Sequence, residues 1–127
     1  MTKQKNVKED KTMITIKSYT DIEQSKKLAE ILPIESADMS WVCNSLGKPF
    51  ARTIPIKGDP EELFGCWSLA ALLGVLPYPY IEENFRGKWT CKVEQNNTTY
   101  LSEESNPIDA CYGIILRLHG LKVLQFN

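Results

Sequence analysis

One uncharged and mostly apolar stretch dominates the hydrophobic pattern of the chain, and it runs from Phe64 to Pro79. It is too short to cross a bilayer, which requires about 20 apolar residues. The stretch is therefore typical of a helix buried in a protein core. Asp59 and Pro60 form a favourable helix start, so we predict a helix from these residues to about Leu76, where Pro77 ends it. Two arrangements stay open, since the helix can be continuous or be broken in two at Gly65.

Capping signals and apolar spacing predict two further helices. Thr20 and Glu23 form a capping box at the start of the first, and Pro33 ends it. Asn106 and Pro107 open the last helix in the same way as Asp59 and Pro60 open the central one. The buried stripes are predicted to comprise Ile22, Leu28, Ala29 and Leu32 in the first helix and Ile108, Cys111, Ile115, Leu118 and Leu121 in the last.

Two segments alternate apolar and polar residues, which is the pattern of half-buried strands. Each is predicted to turn back as a hairpin. The first returns along residues 52–56 after a loop at 44–49, and the second returns along residues 98–101 after a turn at 96–97. Residues 13–19 are compatible with one more short strand. The inward faces are predicted to carry Met39, Trp41 and Cys43 in the first hairpin and Trp89, Cys91 and Val93 in the second.

The order of these elements predicts a single α+β domain formed by residues 13–127, preceded by a flexible, polar tail at residues 1–12. Its order is helix–hairpin–helix–hairpin–helix, with a four-stranded antiparallel sheet that helices cover on one face. Three landmarks recur in the two halves in the same order, which predicts an internal duplication. They are Leu-Pro at 32–33 and 76–77, Trp-x-Cys at 41–43 and 89–91, and Asp-Pro or Asn-Pro at 59–60 and 106–107.

Charge and cysteine usage narrow the functional classes. The 127 residues include 15 Lys and Arg against 16 Asp and Glu, which argues against a dedicated nucleic-acid binder because such proteins need a basic face. No secretory signal is recognisable, so we expect a cytoplasmic protein with no membrane association and with reduced thiols. The cysteines lie too far apart for a zinc knuckle, and we expect them to be structural: Cys43, Cys66, Cys91 and Cys111.

Residues typical of catalysis do not converge in the sequence. The acidic pairs at 82–83 and 103–104 lie in polar stretches, where no burial would raise a carboxyl pKa. Cys111 and His119, the only histidine, are separated by about 12 Å along one helix, too far for direct activation of the thiol. We therefore predict a protein that is not an enzyme and has no catalytic residues, cofactor or metal.

The connection after the central helix is the strongest candidate for a partner-binding surface. It is predicted to be irregular because of its prolines and Gly87, and it is longer than most connections. It carries three aromatic residues and an arginine, which are enriched at interface hot spots. Two arrangements remain open, since Tyr78 and Phe85 can fold back onto the core or stay exposed. The candidate binding residues are Tyr78, Tyr80, Phe85 and Arg86.

Three strings resemble a known group of sequences: TDIEQSKKLAEILPIESADMSW, CWSLAALLGVLP and NPIDACYGIILRLHGLKVL. They are similar to small uncharacterised proteins encoded by prophages, phages and mobile elements of gut anaerobic bacteria. Those proteins typically have Pro and Glu where this chain has Gly65 and Gly74. The resemblance implies an accessory protein that acts by binding, most simply a non-enzymatic protein-interaction module. The alternative is a small-ligand-binding protein with a pocket between helices and sheet, lined by Trp67.

Overall fold

The computed structural model describes residues 17–53 and 62–124, and within these ranges the chain is an α+β protein. A short 3-10 helix, Ile34–Ser36, follows the first α-helix. The other elements, in chain order, are α1 (Ile22–Ile31), β1 (Met39–Cys43), β2 (Pro49–Arg52), β3 (Glu62–Cys66), α2 (Leu69–Val75), β4 (Tyr80–Glu83), β5 (Trp89–Gln95), β6 (Thr98–Glu104) and α3 (Pro107–Gly120).

The described strands form two antiparallel three-stranded sheets, so the prediction of one four-stranded sheet is wrong. The first sheet has the order β2–β1–β3, and the second has the order β4–β5–β6. Each predicted hairpin pairs with one further strand, and that strand is formed by a segment for which the sequence predicts a different structure. β3 takes part of the predicted central helix, and β4 takes part of the predicted irregular connection.

The central apolar stretch therefore divides into a strand and a short helix. Ser68 separates them, because its hydroxyl caps α2 by accepting from the Ala71 N–H at 3.2 Å. The N–H and hydroxyl of Ser68 both donate to the Asp38 carboxylate, which fixes this start. Gly65 lies in β3 where a Cβ atom would come within 3.0 Å of Ala37. The predicted helix start at residues 59–60 lies outside the described residues.

The first helix begins one residue later than predicted. Asp21 is its N-cap, and the capping box pairs Asp21 with Gln24: the Gln24 N–H donates to Asp21 Oδ1 at 2.8 Å, and the Asp21 N–H donates to Gln24 Oε1 at 3.1 Å. The helix ends before Pro33, as predicted. Leu28 is buried, but Ala29 is exposed, which corrects the predicted stripe.

Thr20, predicted to cap α1, is instead at the centre of a buried group of hydrogen bonds. Its hydroxyl accepts from the Trp67 N–H at 3.1 Å and lies 2.8 Å from the Ser25 hydroxyl. The Trp41 indole N–H donates to Ser25 Oγ at 3.1 Å. The Cys66 thiol donates to the Thr20 carbonyl oxygen at 3.5 Å. We call these five residues the Thr20 cluster, and it ties the start of α1 to both β1 and the end of β3.

Both hairpins turn through the same five-residue pattern, Asn-x-x-Gly-Lys. In the first, Asn44 Oδ1 accepts from the N–H groups two and four residues later, both at 2.9 Å. Asn84 Oδ1 does the same at 2.9 and 3.0 Å. The glycines have φ values of 81° at Gly47 and 77° at Gly87, which favour glycine. Because this turn closes at Lys48, β2 starts at Pro49, earlier than the predicted return strand; residues 54–56 of that prediction lie outside the described ranges.

The second hairpin confirms the alternation read from the sequence. Cys91 and Val93 are buried, while Trp89 on the same face is half-buried at the edge of the core. Asn96 and Asn97 form the predicted turn with φ values of 53° and 64°. The return strand continues past the predicted end, to Glu104. The Trp-x-Cys motifs lie on β1 and β5, the central strands of the two sheets, and the internal duplication stays a prediction.

The last helix packs its apolar face at the centre of the main core. Asn106 caps it by accepting from the Asp109 N–H at 2.9 Å, and Pro107 is its first residue. Leu121 lies beyond the helix and is 56% exposed, so including it in the stripe was wrong. The residues of α3 with no exposed surface are Ile108, Ala110, Cys111, Ile114, Ile115 and Leu118.

A partly buried ion pair joins the segment before α1 to the start of α3. Lys17 Nζ lies 2.9 Å from Asp109 Oδ1 and 3.1 Å from Asp21 Oδ2. Gln24 and Asn106 side-chain amides each donate to Asp109 at 2.8 Å. Burial acts to raise the pKa of Asp109, but the hydrogen bonds from Lys17, Gln24 and Asn106 outweigh it, so the pKa is lowered. Burial acts to lower the pKa of Lys17, and the hydrogen bonds to Asp109 and Asp21 raise it overall.

An Asp109→Asn variant is expected to lose about 1–2 kcal/mol of unfolding free energy at neutral pH, since hydrogen bonds to charged groups are worth about 1.5–3 kcal/mol and this site is partly exposed. The lowered pKa makes the loss largest above about pH 4, the ordinary range of an aspartate, and the loss shrinks as acid protonates Asp109 in the parent protein. The raised pKa of Lys17 keeps its contribution intact until strongly alkaline pH. Urea unfolding of parent and variant over a pH series measures this difference.

Glu30→Gln is the matched control, because Glu30 pairs with Lys27 at 3.7 Å on the exposed surface of α1. Its loss should stay below about 0.5 kcal/mol. A loss in Asp109→Asn that does not change between neutral and acidic pH would contradict the role given to the ion pair.

Candidate functional site

The four candidate binding residues are all exposed. Tyr78 is 98% exposed, Phe85 is 93% exposed and Tyr80 is 53% exposed, and Arg86 also lies at the surface. The alternative in which Tyr78 and Phe85 fold back onto the core is therefore wrong. We call residues 78–86 the aromatic segment. Large apolar side chains with this exposure are candidates for contact with a partner.

The aromatic segment is more ordered than its prolines suggested, because β4 forms its centre. Tyr80 lies opposite Lys92 and Glu83 lies opposite Trp89 in the ladder with β5. The prolines at 77 and 79 both precede the strand, so neither interrupts its pairing. Tyr78 lies between them with a φ of 47°, a conformation uncommon for a residue other than glycine. This arrangement turns the chain sharply out of α2 and leaves the Tyr78 side chain in solvent.

The outer face of the second sheet continues the aromatic surface. The register places Tyr80, Lys92 and Leu101 in one row across the three strands. Lys92 Nζ lies 5.0 Å from the centre of the Tyr80 ring, which is within the range of a cation–π contact. Leu101 is 49% exposed. The row therefore presents a ring, an ammonium group and an aliphatic side chain side by side.

Acidic residues flank this row. By strand alternation Glu82, Glu94 and Glu103 share the outer face, and Glu103 accepts a 2.7 Å hydrogen bond from the Asn84 amide. The Glu82 carboxylate raises the pKa of Tyr80, first through a hydrogen bond and second through its charge. The Tyr80 hydroxyl therefore keeps its proton at neutral pH and donates it to Glu82, which leaves the hydroxyl oxygen able to accept a hydrogen bond from a partner.

An open groove of about 310 Å³ crosses one end of this face. Tyr78 and Tyr80 form its aromatic wall, so it is continuous with the aromatic segment. The opposite end of β4 carries a second contact, in which the Arg86 guanidinium lies 5.5 Å from the centre of the Phe85 ring. The groove is lined by Tyr78, Tyr80, Lys92, Glu94 and Thr99.

Three of the four cysteines lie in the core, and Cys43 at the end of β1 is partly buried. Cys66, Cys91 and Cys111 are fully buried, and burial raises the pKa of the Cys66 thiol. The Cys111 thiol donates to Cys91 Sγ at 3.8 Å, which raises the pKa of Cys111, as does its burial. Within residues 17–53 and 62–124, no group of three or more His, Cys, Asp or Glu side chains is placed to hold a metal ion.

The aromatic residues of this surface are evident from the sequence, but the strand that carries them is not. The run from Tyr80 to Glu83 gives little apolar alternation, and only Ile81 packs against the core. The matching turns at 44–48 and 84–88 were the signal that identifies β4, since the first of them lies in a hairpin that the alternation predicted. Lys92 and Leu101 were also missed as surface residues of the same site.

No protein-family model, no curated protein and no solved structure matches the chain. In the part of the chain that the structure describes, no helix has the length and apolar character needed to cross a membrane.

Proposed function

We propose that the protein is a non-enzymatic protein-interaction module that binds another protein through the aromatic segment and the adjoining outer face of the second sheet. The observation that carries this proposal is the exposure of Tyr78, Tyr80 and Phe85 along one strand and its two ends. The origin in a phage or mobile element and the cytoplasmic location stay predictions.

The geometry suits an interface because the exposed rings lie at both ends of β4. Its four residues span about 13 Å at the usual rise of a strand, so the two aromatic groups can contact one partner together. Covering a ring stabilises a complex by about 25 cal/mol for each Å² of apolar surface removed from water. Tyrosine and arginine are enriched among the residues that dominate interface energies.

The charge of the surface favours a protein over a nucleic acid. Glu82, Glu94 and Glu103 share the outer face with Lys88 and Lys92, so acidic side chains outnumber basic ones on it by one. A phosphate backbone would be repelled by these carboxylates and would release few counterions on binding. A protein partner with basic side chains would be attracted instead.

The small-ligand alternative has less support. Trp67, the predicted wall of a pocket between helices and sheet, has no exposed surface, and its indole N–H donates to Ser36 Oγ at 2.9 Å. The groove beside Tyr78 and Tyr80 lies on the outer face of the sheet and is open. An open groove buries only part of a small ligand, whereas ligand pockets usually bury about 70–90% of its surface.

A double variant, Tyr80→Ala with Arg86→Ala, is expected to remain folded and to bind the partner at least tenfold more weakly, a loss of about 1.4 kcal/mol. Both side chains are exposed, so their removal costs little stability. The partner is first captured from cells on the immobilised full chain, identified by mass spectrometry and purified. Calorimetric titration of the purified pair then measures the affinities.

Leu46→Ala is the matched control, because Leu46 is 84% exposed at the tip of the corresponding turn in the first sheet. It should bind as the parent protein does. Equal affinity of the double variant and the parent protein would remove the aromatic segment as the binding surface.

A further inference from the structure

Strand β4 is an edge of the second sheet. Within the described part of the chain it pairs only with β5. The Asn84 N–H donates to the Lys88 carbonyl oxygen at 2.7 Å, which makes residues 84 and 88 a hydrogen-bonded pair. In an antiparallel ladder such pairs alternate, so Tyr80 and Glu82 direct their backbone groups towards β5. The N–H and C=O groups of Ile81 and Glu83 therefore point away from the sheet.

These outward groups form a short template for another strand. An edge with free backbone groups can receive an extended segment, whose main chain supplies the hydrogen bonds and whose side chains supply the specificity. Pro79, the preceding outward-facing position, has no N–H to offer. The pairing is therefore confined to Ile81 and Glu83.

The side chains of β4 change character halfway along the strand. Tyr80 and Ile81 are apolar and lie on opposite faces, and Glu82 and Glu83 follow them, both exposed. If a second copy of β4 paired with this edge, Glu82 and Glu83 of one copy would lie beside either the same two acids or Tyr80 and Ile81 of the other copy. Like charges on adjacent strands are destabilising, so the acids disfavour self-pairing and select a basic partner.

We propose that β4 receives, as an added strand, an extended segment of another protein in which two consecutive apolar residues adjoin two consecutive basic residues. The apolar pair lies beside Tyr80 and Ile81, and the basic pair lies beside Glu82 and Glu83. This proposal rests on the proposed function and names the chemistry of the partner.

Synthetic peptides of about eight residues, enough to cover a strand of ordinary length, test the proposal directly. One carries valine-isoleucine-lysine-arginine at its centre, and a second carries the reverse order to allow for the other strand direction. Matched peptides replace the two basic residues with glutamate. At least one basic peptide is expected to bind the full chain, at least tenfold more tightly than its acidic counterpart and more weakly as salt is added. Equal binding of basic and acidic peptides, or no binding of the basic ones, would overturn the proposal.

A proline substitution separates edge pairing from simple charge attraction. Glu83→Pro removes an outward N–H without removing a hydrogen bond between β4 and β5. Glu83→Ala, the matched control, removes the same carboxylate and keeps the N–H. The proline variant is expected to bind the basic peptide at least tenfold more weakly than the alanine variant, with both shown to be folded by circular dichroism and thermal unfolding.

Backbone methylation of the basic peptide tests edge pairing on the parent protein. Two forms are compared, one methylated on the odd-numbered backbone nitrogens and the other on the even-numbered ones, and these are the two methylation registers. Only the form whose methylated nitrogens face β4 should lose binding. Equal binding in both registers would overturn the proposal even if the proline variant failed to fold.

Hydrogen exchange of the free chain identifies any other occupant of the edge. The amides of Ile81 and Glu83 are expected to exchange rapidly and to become protected when the basic peptide binds. Protection in the free monomer would show that another part of this chain covers the edge, and protection that increases with protein concentration would assign it to a second copy; either result overturns the proposal. A partner that is lost with Tyr80→Ala and Arg86→Ala but unaffected by Glu83→Pro would leave the proposed function standing without edge pairing.

Discussion

Replacing Trp67 with alanine is expected to cost about 3–5 kcal/mol of unfolding free energy, as large-to-small changes of buried aromatic residues do. Trp67 has no exposed surface and is the largest of the fully buried side chains. Its loss would leave a cavity in the main core and would leave the Ser36 hydroxyl without its indole donor. Because domains of this size are stable by only about 5–15 kcal/mol, the variant should lose much of its stability.

Equilibrium urea unfolding followed by circular dichroism measures this loss without relying on tryptophan fluorescence. Trp89→Ala is the matched control, because this substitution removes an equal side-chain volume from a half-buried site at the edge of the core. Its cost should be smaller than that of Trp67→Ala. The reverse order would show that the core is centred on β5 rather than on the junction of β3 and α2.

A Thr20→Val variant is expected to lose about 2 kcal/mol, although valine has nearly the same shape as threonine. The hydroxyl of Thr20 accepts from the buried Trp67 N–H, and valine would leave that donor without an acceptor. The Ser25 hydroxyl would also lose its 2.8 Å partner. The cost arises mainly from polar groups that stay buried and unpaired, because the volume of the site is unchanged.

Thr20→Ser tests this explanation, since serine keeps the hydroxyl and removes a methyl group. It should be more stable than Thr20→Val in thermal unfolding at neutral pH. If the valine variant is the more stable of the two, packing of the methyl group and not the Thr20 cluster holds α1 against β3.

Local signals in the sequence predicted the elements whose stabilising contacts are local or regularly spaced. The Asn106 cap, the turn at residues 96–97 and the alternation of β5 all depend on neighbours within a few positions. The central stretch could not be assigned in this way, because a short apolar run suits a buried strand as well as a buried helix. Phe64 becomes strand by pairing with Trp41, a partner distant in sequence.

The candidate site shows the same division. The residue types of the aromatic segment were evident, since tyrosine and arginine are common at interfaces whatever the fold. Whether Tyr78 and Phe85 are exposed depends on which faces α2 and β5 leave uncovered, and that is decided by the packed structure. The free edge of β4 likewise depends on the strand order of the sheet, which no local pattern encodes.

The late position of α3 has a consequence for synthesis on the ribosome. This helix follows every other described element, yet its apolar face belongs to the same core as Leu28 of α1, Leu72 of α2 and Val93 of β5. Lys17 must likewise wait for Asp109, 92 residues later, to form its ion pair. A nascent chain that stalls before α3 therefore exposes the surface that chaperones and proteases recognise, so messages truncated there should yield chains that are degraded rather than smaller folded proteins.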